Sequence, residues 1–256
     1  MYLSVTDFKD FYKTREGYLV QRVLCSAISE IWENVHGLNV MGCGYTTPFL
    51  DQFTDEAQRV ISLMPAGQGA CHWPKDKKNL VCLNYENSFP LESNSMDRII
   101  LVHYLECAED LRACLREIWR VLKPNGRILV IVPNRNGFWA HADWSPFGLG
   151  SPFSHYQLNY YMKDNLFSSV QSQGALFTPP VKTRSVQRFS GVFERLGKTI
   201  LPIAAGVYIA EFKKEIYAPL DDKGSGSAVF AKTKEILRGR KPVTPVPQRN
   251  TPLNTI

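Results

Sequence analysis

The sequence predicts an α/β domain whose sheet is mostly parallel and covered by helices on both faces, and three observations predict it. Five short apolar runs, 38–41, 60–64, 80–83, 98–102 and 127–132, fall within about a hundred residues and are separated by turn or helix material, as strands of one sheet are. Between the last two, residues 109–122 place Leu111, Leu115, Ile118, Trp119 and Leu122 on one helical face. Lys123-Pro124-Asn125-Gly126 then stops the helix and turns the chain, because proline cannot continue a helix and Asn-Gly accepts positive φ. Strand, helix, tight turn and strand make a crossover between parallel strands.

The chain opens as helix. Phe8, Phe11 and Tyr12 precede Gly17, after which Leu19, Val23, Leu24, Ile28 and Ile31 recur near the 3.6 period until His36-Gly37 closes the segment. Beyond the fifth strand, residues 133–150 are rich in glycine, proline and aromatics and read as a functional loop or lid. Ser154 caps a helix running to about Phe167, followed by a strand near 175–178, a helix at 185–201 and a strand at 207–212. The last two strands are expected to form an antiparallel pair at the sheet edge.

With 256 residues, 44% hydrophobic and 21% charged, the composition excludes collagen, coiled coil and wholesale disorder. Six cysteines show no CxxC pair, and Cys71-His72 has no neighbours that complete a zinc set, so free buried thiols and no metal are expected. The first thirteen residues lack a basic start and apolar run, and the longest apolar stretch, 200–210, contains Pro202 and Gly206. A cytoplasmic protein without membrane contact is the expectation. Net charge is +6, of which +4 lies in residues 221–256. That Gly/Ser- and Pro-rich basic tail reads as a largely disordered, solubilising end rather than a nucleic-acid surface. The division is therefore 1–220 as one domain, with 1–37 its helical front and 38–135 its core, and 221–256 as the tail.

Residues 89–100, Phe-Pro-Leu-Glu-Ser-Asn-Ser-Met-Asp-Arg-Ile-Ile, and 115–127, Leu-Arg-Glu-Ile-Trp-Arg-Val-Leu-Lys-Pro-Asn-Gly-Arg, resemble the class I S-adenosylmethionine-dependent methyltransferases of the type 11 kind. The likeness extends more weakly to Leu38 and Leu166. Residues 63–69, 72–74 and 132–137 look like a bacterial subgroup with a degenerate cofactor motif. The resemblance implies a Rossmann-like doubly wound sheet and S-adenosylmethionine as cofactor. Its glycine-rich turn aligns with Gly42-Cys43-Gly44, but the acids of the family site fall on Val40, Met64 and Tyr85, with Glu86 a residue away. Each carboxylate lost forfeits a charge-assisted hydrogen bond of about 1.5–3 kcal/mol. Asn84, Tyr85 and Glu86 can supply substitute polar contacts, and Met64 can pack against the nucleoside. The resemblance thus implies Gly42, Gly44, Met64, Tyr85, Glu86 and Val102 as the cofactor site.

His103 follows the fourth strand, where ligands of open α/β sheets bind. A neutral imidazole there can take a proton from an acceptor, with Glu106 to orient it; a structural histidine is the competing reading. His72-Trp73-Pro74 either folds over the nucleoside or anchors a loop to the core. Residues 138–144, with His141 and Asp143, form a candidate acceptor lid or plain packing. No GxSxG elbow or GxGxxG fingerprint occurs, which disfavours a serine hydrolase and a nicotinamide dehydrogenase. Two functions remain: methyl transfer to a small-molecule acceptor, or a non-catalytic methyltransferase-fold protein that binds a protein partner.

Overall fold

The computed structural model describes residues 3–180 and 205–216. The sheet has seven strands: β1 Asn39–Gly44, β2 Arg59–Pro65, β3 Val81–Asn84, β4 Met96–Val102, β5 Leu122–Pro133, β6 Phe167–Ala175 and β7 Val207–Lys214. Their order is β3-β2-β1-β4-β5-β7-β6. The first five are parallel, and β7 runs antiparallel to both β5 and β6. The expected parallel sheet with an antiparallel edge is therefore present. The switch point lies between β1 and β4, the place where ligands meet such sheets.

The central strands are apolar over their inner stretches, such as 99–102 and 128–132, because both faces are covered there. One face packs on helices α1 Val5–Lys13 and α2 Arg15–Ile31 through Phe8, Val20, Leu24 and Ile28. The helix after β1, α3 Thr47–Leu50, is a single turn continued by a 3-10 turn at Asp51–Phe53. The other face packs on α4 Leu111–Val121 and α5 His155–Asp164 through Leu115, Ile118, Leu158 and Met162.

The helical front is two helices, because Thr14 leaves the helical region at ψ 165° and its hydroxyl caps α2 by accepting from Gly17 N. Ser4 caps α1 in a reciprocal box with Asp7, a device worth about 1 kcal/mol.

Three expectations need correction. Lys123-Pro124-Asn125-Gly126 is the irregular start of β5 rather than a tight turn. Gly126 is not among the glycines with positive φ. Leu122 pairs with Met96 and Arg127 with Arg98, so the intervening residues bulge out of the ladder. The helix capped by Ser154 ends at Asp164, and the next strand begins at Phe167, about eight residues earlier than expected. Thr47, standing before Pro48, reads in the sequence as the cap of the helix after β1, but Thr46 holds that position, without a side-chain bond. The expected helix at 185–201 and the tail lie outside the described residues. Among the described residues no helix is long and apolar enough to cross a membrane, and no group of three His, Cys, Asp or Glu is placed to hold a metal.

Candidate active site

Five parallel strands bring the segments after β1, β2, β3 and β4 to one edge of the sheet. A cleft of about 320 Å³ lies there, within the size range of small-molecule sites. Its walls are Ala66 and Gly67 after β2, Tyr85 and Glu86 after β3, and Glu109 and Asp110 at the start of α4. The Tyr85 ring is exposed. Glu86 is held on one side only: its Oε2 accepts from Glu109 N at 3.3 Å and from Cys114 Sγ at 3.4 Å, while its buried Oε1 has no partner. Burial raises its carboxyl above the usual range, against the Cys114 and Glu109 hydrogen bonds that lower it.

Glu86 belongs to a pattern. Among the described residues, eight of the twelve buried side-chain polar atoms without a hydrogen-bond partner sit on Gln68, Asn84, Glu86, His103, Tyr104 and Glu106. All six lie at or just beyond the carboxyl ends of β2, β3 and β4. Their concentration at one edge is informative, since an unpaired buried polar atom costs about 1–3 kcal/mol and calls for a reason such as a ligand.

The other residues singled out by sequence form the floor. Met64 and Val102 are fully buried core residues. A Cβ on Gly42 would overlap Thr46 Oγ1, and one on Gly44, whose φ is +87°, would overlap the Val102 carbonyl oxygen. Thr46 fills the space above Gly42 and its hydroxyl lies 3.3 Å from that of Ser62. Both glycines thus accommodate the protein's own close approaches. Tyr45, next in the chain, stacks on Phe8 and Tyr12 of α1 with ring centroids 5.1 and 5.5 Å apart. Helix α1 is tied to the segment after β2 by Val5 N donating to Gln68 O at 2.8 Å.

His103 is buried beside this aromatic stack. Its Nε2 lies 2.9 Å from Tyr12 Oη and its Nδ1 3.4 Å from Glu106 Oε1. Tyr12 is a site residue that sequence reading placed only in the core of a helix; it reaches His103 across 91 positions, and no local signal marks such a contact. Trp73 takes the anchoring role: buried, it donates from Nε1 to Asp51 Oδ1 at 2.8 Å and is absent from the cleft wall. The segment 138–148 splits. Trp139 and Phe147 pack inward, and Phe147 lies 4.5 Å from the His103 ring. Phe138, His141, Asp143 and Trp144 line a separate surface depression of about 480 Å³.

The cleft suits the adenosine half of the expected cofactor. Its walls carry the Glu86 carboxylate, whose Oε1 is buried without a partner, the exposed ring of Tyr85, and the small residues Ala66 and Gly67.

Residues 35–130 match the methyltransferase domain family. Among solved structures, an S-adenosylmethionine-dependent methyltransferase of Thermotoga maritima, described as a possible histamine N-methyltransferase, aligns with TM-score 0.59 at 15% identity, covering 82% of this chain and 96% of that one. A protein solved in complex with the Haloferax volcanii Trm112 methyltransferase activator aligns with TM-score 0.57 at 15% identity, covering 81% and 97%. The 1,6-didemethyltoxoflavin-N1-methyltransferase of Burkholderia thailandensis aligns with TM-score 0.53 at 14% identity, covering 82% and 85%. At such identities the likeness is one of fold. No curated protein sequence is detectably similar to the chain.

Proposed function

We propose that the chain, whose residues 35–130 match the methyltransferase domain family, transfers a methyl group from S-adenosylmethionine to a small-molecule acceptor at the carboxyl edge of the sheet. The observation that carries this reading is Glu86 in the wall of a nucleoside-sized cleft, anchored through Oε2 while its buried Oε1 has no partner. Glu86 Oε1 accepts from the hydroxyls or amino group of the nucleoside, and Tyr85 covers its ring. Met64 and Val102 give the apolar floor, with Gly42 and Gly44 in the strand end beneath the turn.

When bound, the cofactor supplies a methyl group already activated on a sulfonium. The chain provides alignment and, for a protonated acceptor, removal of a proton. His103 is the candidate for the proton removal, since it stands at the end of β4 with Glu106 against one ring nitrogen and a hydroxyl against the other. The rings of Phe8, Tyr12 and Phe147 surround the His103 imidazole. Two proteins of similar fold, one described as a possible histamine N-methyltransferase and the other a 1,6-didemethyltoxoflavin-N1-methyltransferase, are named for small nitrogen compounds, in keeping with a small-molecule acceptor.

A second reading has its own observation. The spaces beside Gly42 and Gly44 are filled by Thr46 and by backbone carbonyls, as in a scaffold that no longer takes the methionine end and serves a protein partner. Thermal denaturation with S-adenosylmethionine and with its demethylated product separates the two. A ligand at a hundred times its Kd adds about 2.7 kcal/mol, so methyl transfer requires a clear rise in Tm, and an unchanged Tm at millimolar ligand favours the scaffold.

A further inference from the structure

The depression of about 480 Å³ lies between residues 138–144, which follow β5, and Pro179-Pro180, which follow β6. It shares no lining residue with the cleft at Tyr85 and Glu86. Its two sides are tied together, because the buried Trp139 donates from Nε1 to Thr178 O at 2.8 Å. The chain on the first side is itself a run of hydrogen-bonded turns, with Ala142 N donating to Trp139 O at 3.2 Å and Ser145 N to Ala142 O at 2.7 Å. The other side is two prolines, whose φ is fixed and which carry no N–H.

What the lining offers a ligand is one-sided in charge. Asp143 contributes a carboxylate, and no lysine or arginine lines the depression. Asp143 and His141 are exposed, and neither side chain makes a hydrogen bond or ion pair among the described residues. The Phe138 and Trp144 rings are 65% and 41% exposed. Aromatic faces attract a cation, tryptophan most strongly, and a carboxylate adds a charge-assisted hydrogen bond to an ammonium group. A neutral imidazole has one nitrogen that accepts a further N–H. An anion meets the carboxylate and the negative ring faces, and gains nothing from prolines that lack a donor. We propose that this depression binds a small arylalkylammonium ion, a flat ring joined by a short chain to a protonated amine. The ammonium group sits between the Trp144 face and Asp143, and the ring lies on Phe138 and the two prolines, where apolar contact and ring stacking hold it. Such binding needs no cofactor, so it stands or falls apart from the methyl-transfer reading.

Calorimetric titration of the full chain with phenethylamine, and with 2-phenylethanol as its neutral counterpart, tests the site. The amine should bind saturably in the millimolar range or tighter, and about tenfold or more better than the alcohol, the discrimination a hydrogen bond to a charged group gives. Asp143→Asn should melt like the wild type and bring the amine down to the affinity of the alcohol, which should not change. Phe138→Ala should weaken both ligands about fivefold, as loss of a ring contact does. If Asp143→Asn does not fold, the amine-to-alcohol ratio of the wild type and the loss in Phe138→Ala still decide. Absence of saturable amine binding, or equal affinity for amine and alcohol, overturns the proposal. So does an amine preference that survives Asp143→Asn, which would move the ligand to the acidic wall formed by Glu86, Glu109 and Asp110. Binding to phosphatidylcholine vesicles with none of the free amine also overturns it, by placing the two rings at a lipid surface.

Discussion

The α-carbon of Gly44 lies so close to β4 that a Cβ there would overlap the Val102 carbonyl oxygen and stand 3.1 Å from that of His103. Where the paired strands β1 and β4 end at the switch point, their contact is thus one between a glycine and backbone carbonyls. As an open turn, Gly44 would offer a substitution that blocks a ligand and spares the fold; the Val102 carbonyl makes it a lesion of the fold. Gly44→Ala combines a positive φ with this overlap, and we expect a loss of about 3 kcal/mol. Urea unfolding of the variant checks it, and a midpoint like that of the wild type would show that β1 and β4 separate easily.

Glu117 on α4 receives Arg120 Nε and Nη2 at 2.9 and 2.8 Å and the Phe89 N–H at 2.9 Å. The Arg120 hydrogen bonds hold its carboxyl below the usual range, against the opposing effect of burial. A carboxyl depressed in the folded chain contributes stability above its unfolded pKa of about 4.3, and this is lost as pH falls through the lower folded value. The wild type should exceed Glu117→Gln by about 1–2 kcal/mol at pH 7 and converge with it in acid. Unfolding at a series of pH values measures the gap; a constant gap would mean that the contact is packing alone.

The six cysteines should sort by burial. Cys82 is exposed, whereas Cys43, Cys107 and Cys114 are buried. Burial first, then the Glu106 charge for Cys107 and the Glu86 charge for Cys114, raise both thiols to about 12. At pH 8 a thiol reagent should therefore modify Cys82 first and leave the three buried cysteines until denaturant is added. Mass spectrometry of the time course decides, and early labelling of Cys114 would mean that α4 opens away from Glu86.

The central sheet was legible because its strands are apolar on both faces, so runs such as 98–102 and 127–132 stand out without an alternating pattern. The edge strand β6 was not, since Ser168, Ser169, Gln171, Ser172 and Gln173 carry no burial signal on a strand with one neighbour. Lys123-Pro124-Asn125-Gly126 misled for a different reason: residues with turn propensity were absorbed by a bulge against β4. At the site, the segments after each strand were legible from their order in the chain. The Tyr12 contact with His103 was not, because it depends on how α1 lies across the sheet. Nor were the neighbours of Gly42 and Gly44, which are set by the Thr46 side chain and the register of β1 on β4.

Calorimetric titration of the full chain and of Glu86→Ala with S-adenosylmethionine tests the site most directly. Glu86 lines the cleft, is anchored by two donors and has a second, buried oxygen without a partner, and a hydrogen bond to a charged group contributes about 1.5–3 kcal/mol. We expect saturable binding at one site, weakened about tenfold or more in Glu86→Ala while both proteins melt cooperatively. Absence of heat at millimolar ligand, or equal affinity in the two proteins, would contradict the placement of the cofactor in this cleft.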